Sequence, residues 1–207
     1  WVEQNRIFPS NAHSILENDY YFPPQTHAAL EPLNFTVNYT EDFCEVWGPS
    51  QSQSDITRIL EELTGFSGEK IKINLTTIGG SFGGKQAKDA LRQALFLSEK
   101  LRKPIQLMWT REHEMQNGYP MQLSQHRVQI GLDEKKYPEF WHHRIAASHS
   151  GAHRDGFFQG WTKSENWGTR PYEPNCADGL PPLYKVGKFD FQLRFEDLGI
   201  PSYNLRT

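Results

Sequence analysis

Apolar and polar positions change period several times along this chain, and each change marks an element. From Phe35 to Tyr39 and from Cys44 to Trp47, larger apolar residues alternate with others around Thr40-Glu41-Asp42, which predicts a β-hairpin. The period then lengthens. Ile56, Ile59, Leu60 and Leu63 recur at helical spacing, Ser52 stands where a cap belongs with Asp55 in the first turn, and Gly65 can stop the helix. Strict alternation returns over Lys70 to Thr76, with Ile71, Ile73 and Leu75 on one face of a half-buried strand. After a glycine-rich stretch, Ala87, Leu91, Ala94, Leu95 and Leu101 mark a second amphipathic helix that ends before Pro104. Further strands are predicted over 105–109, 127–132 and 140–146, with Asp133 to Pro138 as a charged turn between the last two.

Neither end of the chain follows this rhythm. Residues 1–25 show no period and run into Phe22-Pro23-Pro24, which disfavours helix, so they read as a lead-in segment. From His149 to about Asn175 the chain is rich in Gly, Trp, Asn and charge, a long irregular excursion of the kind that is functional or disordered. Alternation resumes only over Phe189 to Phe195. The strand–helix order predicts an α+β fold with mixed strands and two or more helices in sandwich-like subdomains. The expected division is a subdomain over 26–148 carrying the glycine loop, and a truncated second part over 149–207.

Composition narrows the function classes. Hydrophobic residues make up 37% of the 207 positions while aromatics reach 13%, which suits large side chains covering polar segments or surfaces that face more protein. The formal charge of −3 comes without any basic block, so nucleic acid is not an expected partner. No apolar run approaches the roughly 20 residues that span a bilayer, and the start WVEQNRIFPS lacks the charge and apolar core of a signal peptide. Cys44 and Cys176 are isolated, so they offer no structural zinc or iron–sulfur site, and a disulfide between them is allowed but not required.

The sharpest local feature is Gly79-Gly80-Ser81-Phe82-Gly83-Gly84-Lys85, between a predicted strand and a predicted helix. Glycines let backbone N–H groups approach an anionic or oxo-bearing ligand, and a helix start adds a favourable dipole. The competing reading is a tight strand-to-helix turn with no ligand. The spacing also matches most of the P-loop pattern, a remote nucleotide-binding alternative. Against it, Gln86 stands where that pattern places a Ser or Thr for magnesium, Phe82 is bulky for a phosphate cradle, and no apolar strand ends in a second magnesium Asp.

Several strings in fixed order carry a resemblance over nearly the whole chain: His27-Ala28-Ala29-Leu30-Glu31-Pro32, Glu45-Val46-Trp47-Gly48-Pro49-Ser50-Gln51, the glycine loop, Trp109-Thr110-Arg111-Glu112, His126-Arg127 to Leu132-Asp133, and Gly199-Ile200-Pro201 through Arg206. Together they resemble the molybdenum-binding subunit of the xanthine-oxidase-type family, in its isoquinoline 1-oxidoreductase branch. The resemblance implies a molybdopterin, as its cytosine dinucleotide, carrying molybdenum in the parent protein. The pterin and not the side chains would hold the metal.

By the same resemblance, Gln51 would donate its side-chain amide toward the metal centre, and Gly79, Gly80, Ser81, Phe82, Gly83 and Gly84 would bring backbone to it. Arg206 would lie beside the same centre. Each has a plain competitor: Gln51 as support for the following helix, Phe82 as core, Arg206 as a solvated terminus. His27 and Glu31 are expected to orient backbone. Ser81 replaces the third glycine usual in relatives, a small change if its φ is negative. Gln86 replaces a substrate-binding glutamate of xanthine-oxidising relatives, which points to another N-heterocycle or an aldehyde.

The implied reaction inserts water-derived oxygen into that substrate, with electrons leaving to a 2Fe–2S small subunit or domain. Its general-base glutamate is expected downstream of this chain, so none of Glu31, Glu45, Glu112 or Glu114 is assigned that role. On this reading the chain is a fragment, cofactor-free and inactive when isolated from the remainder of the molybdenum subunit. The branch implies a periplasmic location, with a cytoplasmic one as the alternative. A different class also fits the residues: a non-enzymatic ligand- or metal-binding module using His142, His143, His149 and His153, although adjacent residues of a strand point to opposite faces.

Overall fold

The computed structural model describes residues 12–148, 182–196 and 202, and their strands form two four-stranded sheets. The fold is α+β. One sheet contains β2 (Asn34–Tyr39), β3 (Cys44–Gly48), β4 (Ile71–Leu75) and β5 (Ile105–Met108), in the order β4-β3-β2-β5. The hairpin β2–β3 is antiparallel, with Thr40 accepting two backbone N–H bonds at the turn. β3 and β4 run parallel, which obliges a crossover, and α1 (Gln53–Thr64) supplies it.

Alternation sends Phe35, Val37, Cys44 and Val46 to one face of this sheet, where all are buried. Ile56, Ile59 and Leu60 of α1 join them, as do Ala90, Leu91, Ala94 and Leu95 of α2 (Asp89–Leu101), forming one apolar cluster. Cys44 belongs to this core, and burial pushes its thiol up to about 11. Two predicted positions depart from the stripe. Leu63, in the last turn of α1, is exposed, and Leu75 is exposed where it closes the β4 ladder opposite Gly48. Gly65 ends α1 as expected, at φ 71°, its N–H bonded to the Glu61 carbonyl. Ser52 precedes α1 but makes no capping bond; its hydroxyl meets Ser54 instead.

The second sheet has the order β1-β6-β7-β8, from β1 (Ser14–Phe22), β6 (Ser124–Leu132), β7 (Pro138–Ser148) and β8 (Lys188–Glu196). β1–β6 and β6–β7 are antiparallel, and β7–β8 is parallel. The Asp133–Tyr137 turn forms as predicted, with Lys136 at φ 65° and the Asp133 carboxylate accepting two backbone N–H bonds.

Chain contacts divide the molecule elsewhere than expected, into residues 1–24 with 122–200 and residues 25–121 with 201–207. Residues 122–148, assigned above to the glycine-loop subdomain, instead exchange backbone bonds with β1 and β8. The supposed lead-in contains β1, whose residues are all exposed, so it buries neither face and shows no period in the sequence. A short helix that the pattern did not announce, α3 (Arg111–Asn117), follows β5. His149, His153, Cys176, the strings at 199–201 and Arg206 lie outside the described residues.

Candidate functional site

The glycine loop, residues 79–84, follows β4 and is gripped from behind by the segment 27–34. Glu31 and Gly79 exchange two bonds: the Glu31 N–H donates to the Gly79 carbonyl at 3.0 Å, and the Gly79 N–H donates to Glu31 Oε2 at 2.7 Å. The Lys85 ammonium, 1% exposed, donates to the same carboxylate oxygen and, at 2.7 Å, to the Gly80 carbonyl. Asn34 donates to Glu31 Oε1 at 3.1 Å. Burial pushes the Glu31 carboxyl up, but these bonds and the lysine charge outweigh it and hold the group below the ordinary carboxylate range.

His27 performs the matching task at the other end of the loop. Its Nδ1 lies 2.6 Å from the Phe82 carbonyl, which can only accept, so Nδ1 carries the proton. Burial lowers the His27 pKa, against the opposing effect of this bond. Arg111 completes the support: it donates to the Ala29 and Leu30 carbonyls and pairs with Glu114. Thr110 caps the first turn of α3 and accepts the His113 N–H, so the short helix presents Arg111 to this segment.

Two kinds of constraint shape the loop itself. Gly80 and Gly83 sit at φ 89° and 97°, where a side chain is strained, whereas a Cβ at Gly79 would come within 2.8 Å of Glu31 Cβ. Phe82 adopts φ 52° with its ring half exposed, a strained conformation for a bulky residue. Ser81 has no positive φ, so its replacement of glycine costs the backbone nothing. Among the described residues, the N–H groups of Gly80, Ser81, Phe82 and Gly83 meet no acceptor. Four successive amides without a protein acceptor, two of them in the buried residues Ser81 and Gly83, lie beside the Lys85–Glu31 pair, a backbone run of the kind that can take the oxygens of a ligand.

Gln51 is brought to this run from the β3–α1 connection, and its Oε1 accepts the Ser81 hydroxyl at 2.5 Å. Its turn is rigid: Pro49 is fully buried, and the Ser50 hydroxyl bonds both the N–H and the carbonyl of Ser52. The structure thus gathers Gln51 with Gly79, Gly80, Ser81, Phe82, Gly83 and Gly84, while Arg206 lies outside the described residues.

One expectation is corrected, and the remote P-loop alternative loses further ground. The loop does not open onto a helix start, because the 3-10 turn Gly84–Gln86 intervenes and α2 begins only at Asp89. Lys85 turns inward to Glu31, so it is not the exposed cation that a P-loop needs. Lys85 and Arg111 were not singled out as site residues from the sequence. An acidic partner 54 positions away gives no local signal, although the Thr110 cap with Glu112 and Glu114 in the following turn does announce a helix start.

Elsewhere, His142 and His143 face opposite sides of β7, as predicted. His142 Nδ1 lies 2.8 Å from Asp190 Oδ2, and His143 Nε2 lies 2.9 Å from His126 Nδ1. Among the described residues no three His, Cys, Asp or Glu side chains are grouped to hold a metal ion.

A run of unpaired backbone amides with a side-chain amide at its edge suits one class of protein, those that hold an oxygen-rich group by main-chain contact. Within that class, a family model described as the molybdopterin cofactor-binding domain matches residues 3–157, and the chain belongs to that family. Among similar curated proteins is the membrane-bound aldehyde dehydrogenase (pyrroloquinoline-quinone) of Gluconacetobacter polyoxogenes, 25% identical over 93% of this chain and 25% of its own length. A nicotinate dehydrogenase subunit from Pseudomonas putida is 28% identical over 51% of this chain and 9% of its length. The aldehyde oxidoreductase of Desulfovibrio gigas shares the fold, with a TM-score of 0.70 at 14% identity, over 94% of this chain and 20% of that one. The chain therefore spans a quarter or less of each of these three proteins.

Proposed function

We propose that this chain forms part of a molybdenum hydroxylase subunit and holds a molybdopterin, as the cytosine dinucleotide, against the glycine loop and Gln51. The observation that carries the reading is the run of unpaired amides from Gly80 to Gly83, stiffened by Glu31, Lys85 and His27. When bound, the cofactor supplies the metal chemistry that moves oxygen and electrons. The chain supplies geometry: Glu31 and Lys85 fix the loop entry, His27 fixes the Phe82 carbonyl, and the amides between them are held as preorganised donors.

Each of the four glutamates weighed above is engaged by a neighbour. Glu31 serves Gly79 and Lys85, Glu45 pairs with Lys72 and Asn74, Glu112 bonds Thr110, and Glu114 pairs with Arg111. This supports a general base contributed from beyond the chain and an inactive isolated fragment. Electrons would leave through iron–sulfur clusters of a partner subunit or domain. The names of the relatives favour an aldehyde or a pyridine-type N-heterocycle as substrate, and isoquinoline is one member of that class. Gln86 is an uncharged amide in the turn after the loop, which disfavours a purine held by a carboxylate.

One relative's name carries a pyrroloquinoline quinone instead. Metal and cofactor analysis of the natively purified parent protein separates the two. Molybdenum and a pterin dinucleotide in about equal amounts are expected; a quinone without molybdenum would overturn the proposal.

A further inference from the structure

The Ser81 hydroxyl is buried between two partners and has little freedom. Its oxygen accepts the Lys85 backbone N–H at 3.0 Å, and its own proton reaches Gln51 Oε1 at 2.5 Å. An amide whose oxygen is engaged as acceptor turns its NH2 group the other way. Reversing the amide would set Nε2 against Ser81 and leave the hydroxyl proton without this acceptor. Among the described residues, Gln51 Nε2 has no acceptor, so two donor hydrogens are held ready beside the loop.

We propose that Ser81 is a positioning residue for Gln51. Its hydroxyl selects the one amide orientation that offers Nε2 as a donor, next to the unpaired amides of Gly80 to Gly83, to an oxygen of the cofactor. The inference rests on the cofactor reading above and adds to it a role for a side chain that itself need not touch the ligand. Glycine or alanine at 81 would leave the amide free to rotate, and donor and acceptor would then both be presented. Threonine would keep the hydroxyl. Because Ser81 has no positive φ, alanine and threonine both suit the backbone.

The test uses the parent holoenzyme as wild type, Ser81→Ala and Ser81→Thr, with melting temperature checked for each. Molybdenum retained after gel filtration and the electron paramagnetic resonance spectrum of molybdenum after dithionite reduction are the readouts. In Ser81→Ala the spectrum is expected to shift and cofactor affinity to fall roughly 3- to 10-fold, the size of one lost neutral hydrogen bond. Ser81→Thr is expected to restore both. A wild-type spectrum in Ser81→Ala, or a spectrum equally altered in both variants, overturns the proposal. A parent protein without molybdenum overturns the cofactor reading and takes this proposal with it, so the two failures are distinct.

Discussion

The two compact units treat buried polarity in different ways. In residues 25–121 an ion pair is driven inward: Lys85 is buried, and its partner Glu31 spends its remaining capacity on backbone and Asn34. In the sheet of β1, β6, β7 and β8, Asp19 pairs with Arg127 and Gln129 with Glu17 at positions half open to solvent, and the one buried partner, His142 against Asp190, carries charge only if protonated. The first arrangement costs desolvation and fixes a loop conformation that the chain would not adopt by itself, with Gly80, Phe82 and Gly83 at positive φ. The second tunes neighbouring strands and leaves the backbone to its ladder. Buried charge therefore marks the place where geometry is being held, and that place is the glycine loop.

Breaking both devices measures the difference. The Lys85 ammonium donates to Glu31 and to the Gly80 carbonyl; Glu31→Ala leaves it buried with only the second of these and removes the acceptor of the Gly79 N–H. Its expected cost is about 3–5 kcal/mol in urea unfolding. Asp190→Ala removes one partly exposed partner of His142 and is expected to cost about 1 kcal/mol. Equal costs would erase the distinction between the units.

Legibility from sequence does not follow this divide: β6, β7 and β8 cover the strands expected over 127–132, 140–146 and 189–195, while the unannounced α3 lies in the other unit. In residues 25–121 one face of β2, β3, α1 and α2 is buried and one face of β4 and β5 is partly so, so period 2 and period 3.6 are written into the sequence, and these six elements appear where the pattern placed them. β1 buries neither face and α3 spans under two turns, so neither carries a readable period. The candidate loop was visible as a glycine cluster, but what holds it in shape was not. The bonds from His27 to Phe82, Glu31 to Lys85 and Gln51 to Ser81 cross 30 to 55 positions and obey no spacing rule. The division of the chain at 121 was missed for a related reason: β6 and β7 look alike in pattern whichever sheet they join.

Acid should reach the two sheets differently. Burial, then the charges of His126 and His142, lower the His143 pKa from the ordinary 6.5 to about 4, and burial also lowers His126. A histidine whose folded pKa is depressed contributes its full stability above 6.5, and that contribution is lost as pH falls from 6.5 toward 4. The full shift would correspond to about 3 kcal/mol, which partial exposure of the ring reduces to about 1–2 kcal/mol. In the other unit Glu31, with a lowered pKa, contributes above the ordinary carboxylate range and weakens only below it, whereas His27, also lowered by burial, gives up its contribution at the glycine loop as pH falls below 6.5. Hydrogen exchange across pH 6.5 to 5 should therefore show β6 and β7 amides losing protection while β2 and β3 amides hold theirs. His143→Gln, which keeps a partner for His126, should flatten the change; simultaneous loss in both sheets would remove the contrast.

The smallest effect is expected where the geometry looks best. Arg127 grips Asp19 through two bonds, Nε to Oδ1 at 2.7 Å and Nη2 to Oδ2 at 2.8 Å, and the arginine bonds hold the Asp19 carboxyl below its usual range. Bidentate geometry usually signals a strong pair. Here, though, the carboxylate is open to water, the two residues already face each other across the β1–β6 ladder, and Glu17 stands 4.0 Å from the same guanidinium as a second acceptor. Water and Glu17 can replace much of what Asp19 gives, so Asp19→Asn should leave the melting temperature unchanged within error at moderate salt. A clear drop that vanishes at high salt would mean that surface charge helps to hold β1 in place, and the contrast between a unit organised by buried charge and one organised by its ladder would need to be redrawn.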